Sequence, residues 1–385
     1  MPTCSTLLPP LSLYIHLPWC VRKCPYCDFN SHEAKSSLPE ELYVRALLTE
    51  LTSYLPMLNE RPVVSIFFGG GTPSLFSPAS IKQILKGVAE RLTLTPDCEI
   101  TLEANPGASD QERFEGFREA GVNRLSIGIQ SLHNHHLKTL GRIHDRDYAI
   151  QAIEYAKQAG FSNFNLDIMF GLPQQTLDEA LQDIDAALAF TPSHFSWYQL
   201  TIEPNTLFHH QPPALPPDDA LWEMQLAGQS RIAAHGLHQY EVSAYARENT
   251  ECVHNRNYWE FGDYLGIGAG AHSKLSAFLD DQFIVQRFAQ IKHPRDYLDV
   301  NRRRVPEKMM IDGKSLVFEF MLNALRLTSG VSTALFIERT GLSLEQLYPQ
   351  LALAKQRGLL LDDAAVVCPS ELGKRFLNDL IELFL

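Results

Sequence analysis

The chain has no apolar stretch longer than a strand, so nothing in its 385 residues reads as a membrane span of ~20 residues. It also lacks a basic excess: 45 acidic side chains face 33 lysines and arginines, a net charge of −12. That balance argues against a general nucleic-acid binder, which needs a basic face, and against adhesion to anionic lipid. The first ten residues, Met1 to Pro10, lack a basic region and a small-residue cleavage site, so no secretory leader is expected. Seven cysteines are an odd number in a long chain, which argues against a disulfide scaffold and for a reducing cytosol. Disorder and coiled coil are excluded for the whole by 45% hydrophobic and 20% charged residues, an ordinary globular mixture.

Three of the cysteines stand together as Cys20-Val-Arg-Lys-Cys24-Pro-Tyr-Cys27, while Cys4, Cys98, Cys252 and Cys368 are scattered. Three thiolates in one short loop suit a soft metal or an iron–sulfur cluster. A zinc site completed by His16 or His32, a redox pair of Cys24 and Cys27, and three buried thiols are the alternatives. A [4Fe-4S] cubane on three thiolates would keep one iron open to an outside ligand. By the logic that separates open from closed zinc sites, such a cluster is reactive rather than structural.

Apolar, β-rich runs alternate with helical patterns over the first 200 residues. Strands are expected at Leu11–Leu17, Val63–Phe68, Glu99–Glu103, Val122–Ile129, Asn163–Met169 and His194–Thr201. Helices are expected between them at Glu40–Tyr54, Ala79–Arg91, Asp110–Ala120, across His133–Ala159, and at Leu177–Ala189. Six βα units predict a parallel sheet, too short for an eight-fold barrel. Polar and special residues gather where the strands end: the cysteines, Gly69-Gly70-Gly71-Thr72-Pro73, Glu103, Gln130, Arg142 and Asp167. In parallel α/β folds that edge carries the ligand chemistry. The glycines allow close backbone approach, but no Lys-Ser/Thr follows them at phosphate-loop spacing. Glu103 can pair with a ligand ammonium, Arg142 with a ligand carboxylate, and Asp167 can accept from ligand hydroxyls, with a surface ion pair or a strand-end cap as the alternative for each.

Beyond the strands, Gln211–Pro217 reads as a stiff connector, followed by a helix near Asp219–His235 and one strand over Tyr240–Tyr245. Gly262–His272 is glycine-rich but lacks a dinucleotide-binding context. From Met309 the pattern turns helical, with a helix-turn-helix over Ser332–Gln356, a wing-like strand pair over Leu359–Val367 and a last helix over Glu371–Leu385. From Glu307 onward ten acidic side chains face eight basic ones, which favours a structural or substrate-covering cap over DNA binding.

CxxxCxxC with an aromatic before the last cysteine (Tyr26) resembles the signature of radical S-adenosylmethionine (SAM) proteins. The resemblance implies an α/β fold, a partial (βα)6 barrel with a small, mostly helical, winged-helix-like C-terminal domain. It divides the chain into a barrel with its cluster loop (1–210), a barrel-completing extension (211–305) and the C-terminal domain (306–385). It implies a [4Fe-4S] cluster on Cys20, Cys24 and Cys27, and SAM contacts from Tyr14, Tyr26, Gly70, Gly71, Thr72, Glu103, Gln130, Arg142 and Asp167.

The whole chain resembles the family that joins oxygen-independent coproporphyrinogen III dehydrogenases to heme chaperones. Phe29 stands where the dehydrogenase branch carries a further cysteine, the long N-terminal extension is missing, and His254-Asn-Arg-Asn-Tyr-Trp259 matches the HNxxYW segment of the chaperone branch. The resemblance therefore implies heme binding and transfer to respiratory heme proteins, with decarboxylation of coproporphyrinogen III as the alternative. It further implies homodimers and peripheral contact with membrane-bound acceptors. Imidazole is a standard axial ligand, so His254 is a candidate for heme iron, with His209, His210, His272 and Cys252 as competitors.

Overall fold

The computed structural model describes residues 8–107, 110–302 and 306–385. Cys4 and most of the Met1–Pro10 segment lie outside them. The chain opens with β1 (Leu11–Leu17), then the short β2 (Trp19–Cys20) and β3 (His32–Glu33), which pair in parallel and close the base of the cysteine loop. Five further βα repeats follow: α1 (Glu40–Tyr54), β4 (Val63–Gly70), α2 (Pro78–Ala89), β5 (Leu94–Ala104), α3 (Asp110–Ala120), β6 (Arg124–Gln130), α4 (Asn134–Thr139), α5 (Arg146–Gln158), β7 (Phe164–Phe170), α6 (Leu177–Leu188) and β8 (His194–Gln199). Local chemistry starts these helices. Ser77 caps α2 by accepting from Ser80 N, with Pro78 in its first turn, and Thr176 and Glu179 form a capping box on α6.

β1, β4, β5, β6, β7 and β8 lie side by side in parallel, as the alternation predicted. Val63-Val-Ser-Ile-Phe-Phe68 is nearly continuous in apolar character because both faces of β4 are covered. The second part of the chain extends both edges of this sheet. α7 (Leu207–His210) and α8 (Asp218–Ala234) flank a connector over residues 211–217 that holds neither helix nor strand. Where one strand was expected near Tyr240, there are two: β9 (His238–Glu241) and β10 (Ala244–Ala246) pair antiparallel, and β10 also pairs antiparallel with β8. The turn at Val242-Ser243 reverses the chain, which the continuous β-rich run concealed.

After α9 (Val253–Trp259), the glycine-rich segment holds β11 (Asp263–Ile267), a seventh parallel strand beside β1. A hairpin of β12 (His272–Leu279) and β13 (Gln282–Ala289) turns at Asp280-Asp281, both with positive φ. After α10 (Pro294–Leu298), β14 (Glu307–Met310) ends the sheet. The result is an open twelve-stranded sheet whose parallel centre curves into a partial barrel.

The C-terminal helices α11 (Gly313–Ala324), α12 (Thr333–Thr340) and α13 (Tyr348–Gln356) surround a second apolar core centred on Phe320, Met321 and Phe336. The strand pair there joins β15 (Val331–Ser332) to β16 (Val366–Val367), so the wing's partner strand precedes α12 instead of lying within Leu359–Val367. The expected final helix is two, α14 (Glu371–Arg375) and α15 (Leu377–Glu382), broken at Phe376. Among the described residues no helix is long and apolar enough to cross a membrane.

Candidate cluster and SAM site

The C-terminal ends of the parallel strands open into a cavity of about 650 Å³, inside the ~300–1,000 Å³ range of small-molecule sites. Of the thirteen residues singled out from the sequence, all but Tyr14 and His254 line it. Those two line a smaller chamber of about 230 Å³ deeper in the barrel, whose wall shares Glu103, Ser126, Asp167, Ser196 and Asn255 with the larger one.

The three thiols are half-buried, unpaired in any disulfide, and face one cavity. Burial pushes the Cys20 and Cys27 thiols up, while Thr72 and Ser31 hydrogen bonds pull Cys20 the other way. A metal that displaces these protons therefore converts an unfavourable burial into a bonded thiolate. Arg142 Nη1 donates to Cys24 Sγ at 3.8 Å. The donor set fits a [4Fe-4S] cluster on three cysteines. Among the described residues no fourth thiol lines the cavity, and Phe29, in the position of the missing cysteine, is 61% exposed. The zinc alternative loses its fourth ligands. His16 Nδ1 and Nε2 are engaged at 3.0 Å by the Tyr14 hydroxyl and at 2.9 Å by Asn30 O, and neither His16 nor His32 lines the cavity.

The glycine triplet is imposed by close approach. Gly70 has φ +112°, and a Cβ there would lie 2.5 Å from the His16 ring; one on Gly71 would lie 2.5 Å from Trp19 O. Gly71 N and Thr72 N donate to Leu17 O and Trp19 O, which ties the end of β4 to the start of the cysteine loop. Arg142 Nη2 donates to Asn105 Oδ1 at 2.6 Å and to Gly128 O at 2.7 Å, and Asn105 Nδ2 donates to Thr72 Oγ1 at 2.9 Å. The buried Nε of Arg142 has no hydrogen-bond partner, a donor left over at the cavity wall.

Gln130 takes a positive φ at a bulge against β7, and its Oε1 accepts from the Tyr198 hydroxyl. Asp167 accepts from Ser126 Oγ and Asn165 Nδ2, and burial raises its pKa. Burial, then the neighbouring Asp167, pushes the Glu103 carboxyl up to about 8. A carboxyl held so far from its ordinary range has an incentive to meet a cation.

Sequence reading missed Asn105, Arg124, Ser126, Asn165, Ser196 and Tyr198. The signal was there in the alternation: Arg124, Ser126 and Gln130 on β6, Asn165 and Asp167 on β7, and His194, Ser196 and Tyr198 on β8 all fall on one strand face.

His254 is placed differently from the expectation. It lies on α9, which closes the opposite end of the barrel near the start of β4. Its Nδ1 is 2.9 Å from Ser65 Oγ, its Nε2 3.2 Å from the Tyr258 hydroxyl, and its ring stacks on Phe67. The residue is 1% exposed, and burial lowers its pKa to about 3. Asn255 and Trp259 of the same segment face the larger cavity, but His254 faces only the small chamber. As found, His254 offers iron no free nitrogen and no room for a porphyrin. Its competitors divide: Cys252 is buried, whereas His209, His210 and His272 are exposed. Phe208 N donates to Pro25 O, so α7 carries His209 and His210 beside the cysteine loop.

The Radical SAM superfamily matches residues 14–187, and the HemN C-terminal domain matches residues 311–376. The chain is 48% identical over 382 residues to a protein of Haemophilus influenzae named heme chaperone HemW, covering 98% of each. It is 48% identical to the protein of that name from Escherichia coli and 34% identical to that of Bacillus subtilis, covering 99% of either relative. Among solved structures, the radical SAM coproporphyrinogen III oxidase HemN of Escherichia coli superposes with a TM-score of 0.81 at 21% identity, over 98% of this chain and 90% of the other; at that identity the likeness concerns the fold. Identity sustained from end to end, on a barrel whose rim gathers the three cysteines, shows that this chain belongs to the HemW family of radical SAM proteins.

Proposed function

We propose that the chain is a cytoplasmic heme chaperone that binds heme and hands it to heme-requiring respiratory proteins. The observation that carries this reading is the 48% identity, over 98% of the chain, to two proteins named heme chaperone HemW. In this reading Cys20, Cys24 and Cys27 hold the [4Fe-4S] cluster, which supplies an open iron and a reducing electron when bound. The cavity beneath it takes SAM. Glu103 pairs with the ligand ammonium, the orphaned Arg142 Nε points a donor at the carboxylate, and Asp167 accepts from ribose hydroxyls. Tyr14 works from the deeper chamber, where its hydroxyl orients His16 behind the glycines. Tyr26, Gly70, Gly71, Thr72 and Gln130 complete the wall.

Heme in this reading stays outside the barrel floor and takes an exposed imidazole, His209 or His210, next to the cluster loop. The units 1–210, 211–305 and 306–385 serve as barrel, extension and cap. A homodimer touching membrane-bound acceptors from the surface is the expected assembly.

The test is an anaerobic reaction of the cluster-loaded protein with SAM, a reductant and coproporphyrinogen III, run beside a hemin titration. Soret absorbance shifting at one equivalent of heme, transfer to an apo acceptor and no protoporphyrinogen are expected. Protoporphyrinogen formation would instead establish the decarboxylase reading.

A further inference from the structure

Outside the cavity, the link from β6 to Arg142 carries His133-Asn134-His135-His136 at the start of α4. One donor atom each from His133, His135 and Glu179 lies within 4.8 Å of the others. His135 Nε2 is 3.2 Å from Glu179 Oε1, and His133 Nε2 is 3.9 Å from Asp183 Oδ1. Glu179 is fixed on α6 because its Oε2 accepts from Thr176 N and Oγ1 in the capping box, which leaves Oε1 for the imidazole side. His136 supplies an independent observation. It is 1% exposed, neither ring nitrogen has a hydrogen-bond partner, and its Nε2 stands 3.5 Å from Glu179 Oε2. Its ring centroid is 4.0 Å from that of His135. Buried imidazoles are normally satisfied, so a buried ring that makes no hydrogen bond and turns Nε2 toward a carboxylate keeps a free lone pair for a cation beside Glu179.

Three imidazoles and a carboxylate are borderline ligands, suited to zinc and unsuited to calcium or magnesium. Donors around a tetrahedral zinc lie about 3.3 Å apart, which rotation of the largely exposed His135 side chain can supply.

We propose that His133, His135 and Glu179, with His136 as the buried fourth donor, form a second metal site for a zinc-class divalent cation, separate from the cysteine cluster. The cation bridges α4 to α6. Leu140 N and Arg142 N donate to His136 O and Leu137 O, so a fixed α4 also fixes the turn that brings Arg142 to Cys24. The site does not depend on the heme-chaperone reading.

The experiment titrates Zn²⁺ into the anaerobic, cluster-loaded protein by calorimetry, so that the three clustered thiols are already occupied. One equivalent should bind in the wild-type protein and raise its melting temperature. The His133→Asn/His135→Asn double variant should lose at least tenfold in affinity, and Glu179→Gln, whose amide oxygen still caps α6, should lose affinity while keeping its unliganded melting temperature. Zinc heats identical in wild type and both variants would overturn the site as scattered surface-histidine binding, as would the absence of any saturable heat. Loss of binding in Glu179→Gln together with an unchanged cluster spectrum would separate this site from the thiols.

Discussion

The two ends of the barrel carry the two most conspicuous motifs of the sequence, and the structure treats them in opposite ways. At the rim, around Cys20–Cys27, polar groups are left over: half-buried thiols, an orphaned Arg142 Nε, a Glu103 carboxyl pushed to about 8. At the floor, around His254–Asn257, polar groups satisfy one another, and the unpartnered Trp259 Nε1 belongs to the side that faces the larger cavity. Glu99 accepts from the N–H groups of Val253 and His254 at the start of α9, and Asn257 Nδ2 donates to Ser12 Oγ and Asp263 O. Surplus donors and acceptors mark the end built for a ligand. A closed network marks the end built for stability.

The comparison breaks first at the cysteines. Replacing Cys20, Cys24 or Cys27 by serine should abolish the visible charge-transfer absorbance of the anaerobically reconstituted protein, whereas Cys98→Ser and Cys368→Ser should leave it. Equal loss from all five would dissolve the distinction between clustered and scattered thiols. Next comes Gly70→Ala. A positive φ and a ring at 2.5 Å make even a methyl group costly, about 1–3 kcal/mol from backbone strain alone. Loss of SAM binding by calorimetry and a lower denaturation midpoint are expected together.

The floor should respond in the other currency. His254→Ala strands the buried Tyr258 hydroxyl, leaves Ser65 Oγ only its bond to Ser12, and opens a void, a loss of about 1–3 kcal/mol in stability. Cluster absorbance and the heme Soret spectrum should stay as in the wild type, while the double replacement of His209 and His210 by alanine should alter the Soret band. A Soret band lost only in His254→Ala would mean that α9 opens to admit heme. Acid sharpens the same contrast. His254, held neutral near 3 by burial, contributes stability above its ordinary value of 6.5 that is lost as the pH falls toward 3.

Much of the architecture was legible because βα alternation is local: apolar runs such as Val63–Phe68 and periodic helices such as α6 announce themselves within a dozen residues. β11 was hidden because Asp263-Tyr-Leu-Gly-Ile267 becomes a strand by pairing with β1, some 250 residues earlier in the chain. The rim residues were readable because they sit at strand ends. The location of His254 was not, because it is set by Ser65, 189 positions away. A motif shows which chemistry a segment can perform, but only packing decides whether its atoms are already spent.

The smallest expected effect tests the surplus itself. With Glu103 raised from 4.5 to about 8, the folded chain keeps a proton that the unfolded chain releases. Stability should therefore fall as the pH rises from about 4.5 to 8 and level off above, and Glu103→Gln should flatten part of that slope, Asp167 carrying the remainder. A ligand ammonium reverses the preference, since it selects the ionised carboxylate. SAM binding at pH 7 should then expel on the order of one proton, seen as a binding heat that changes with the ionisation enthalpy of the buffer. The same heat in phosphate and in Tris would mean that Glu103 does not meet the ammonium, and the rim would lose the one carboxylate that its chemistry most needs.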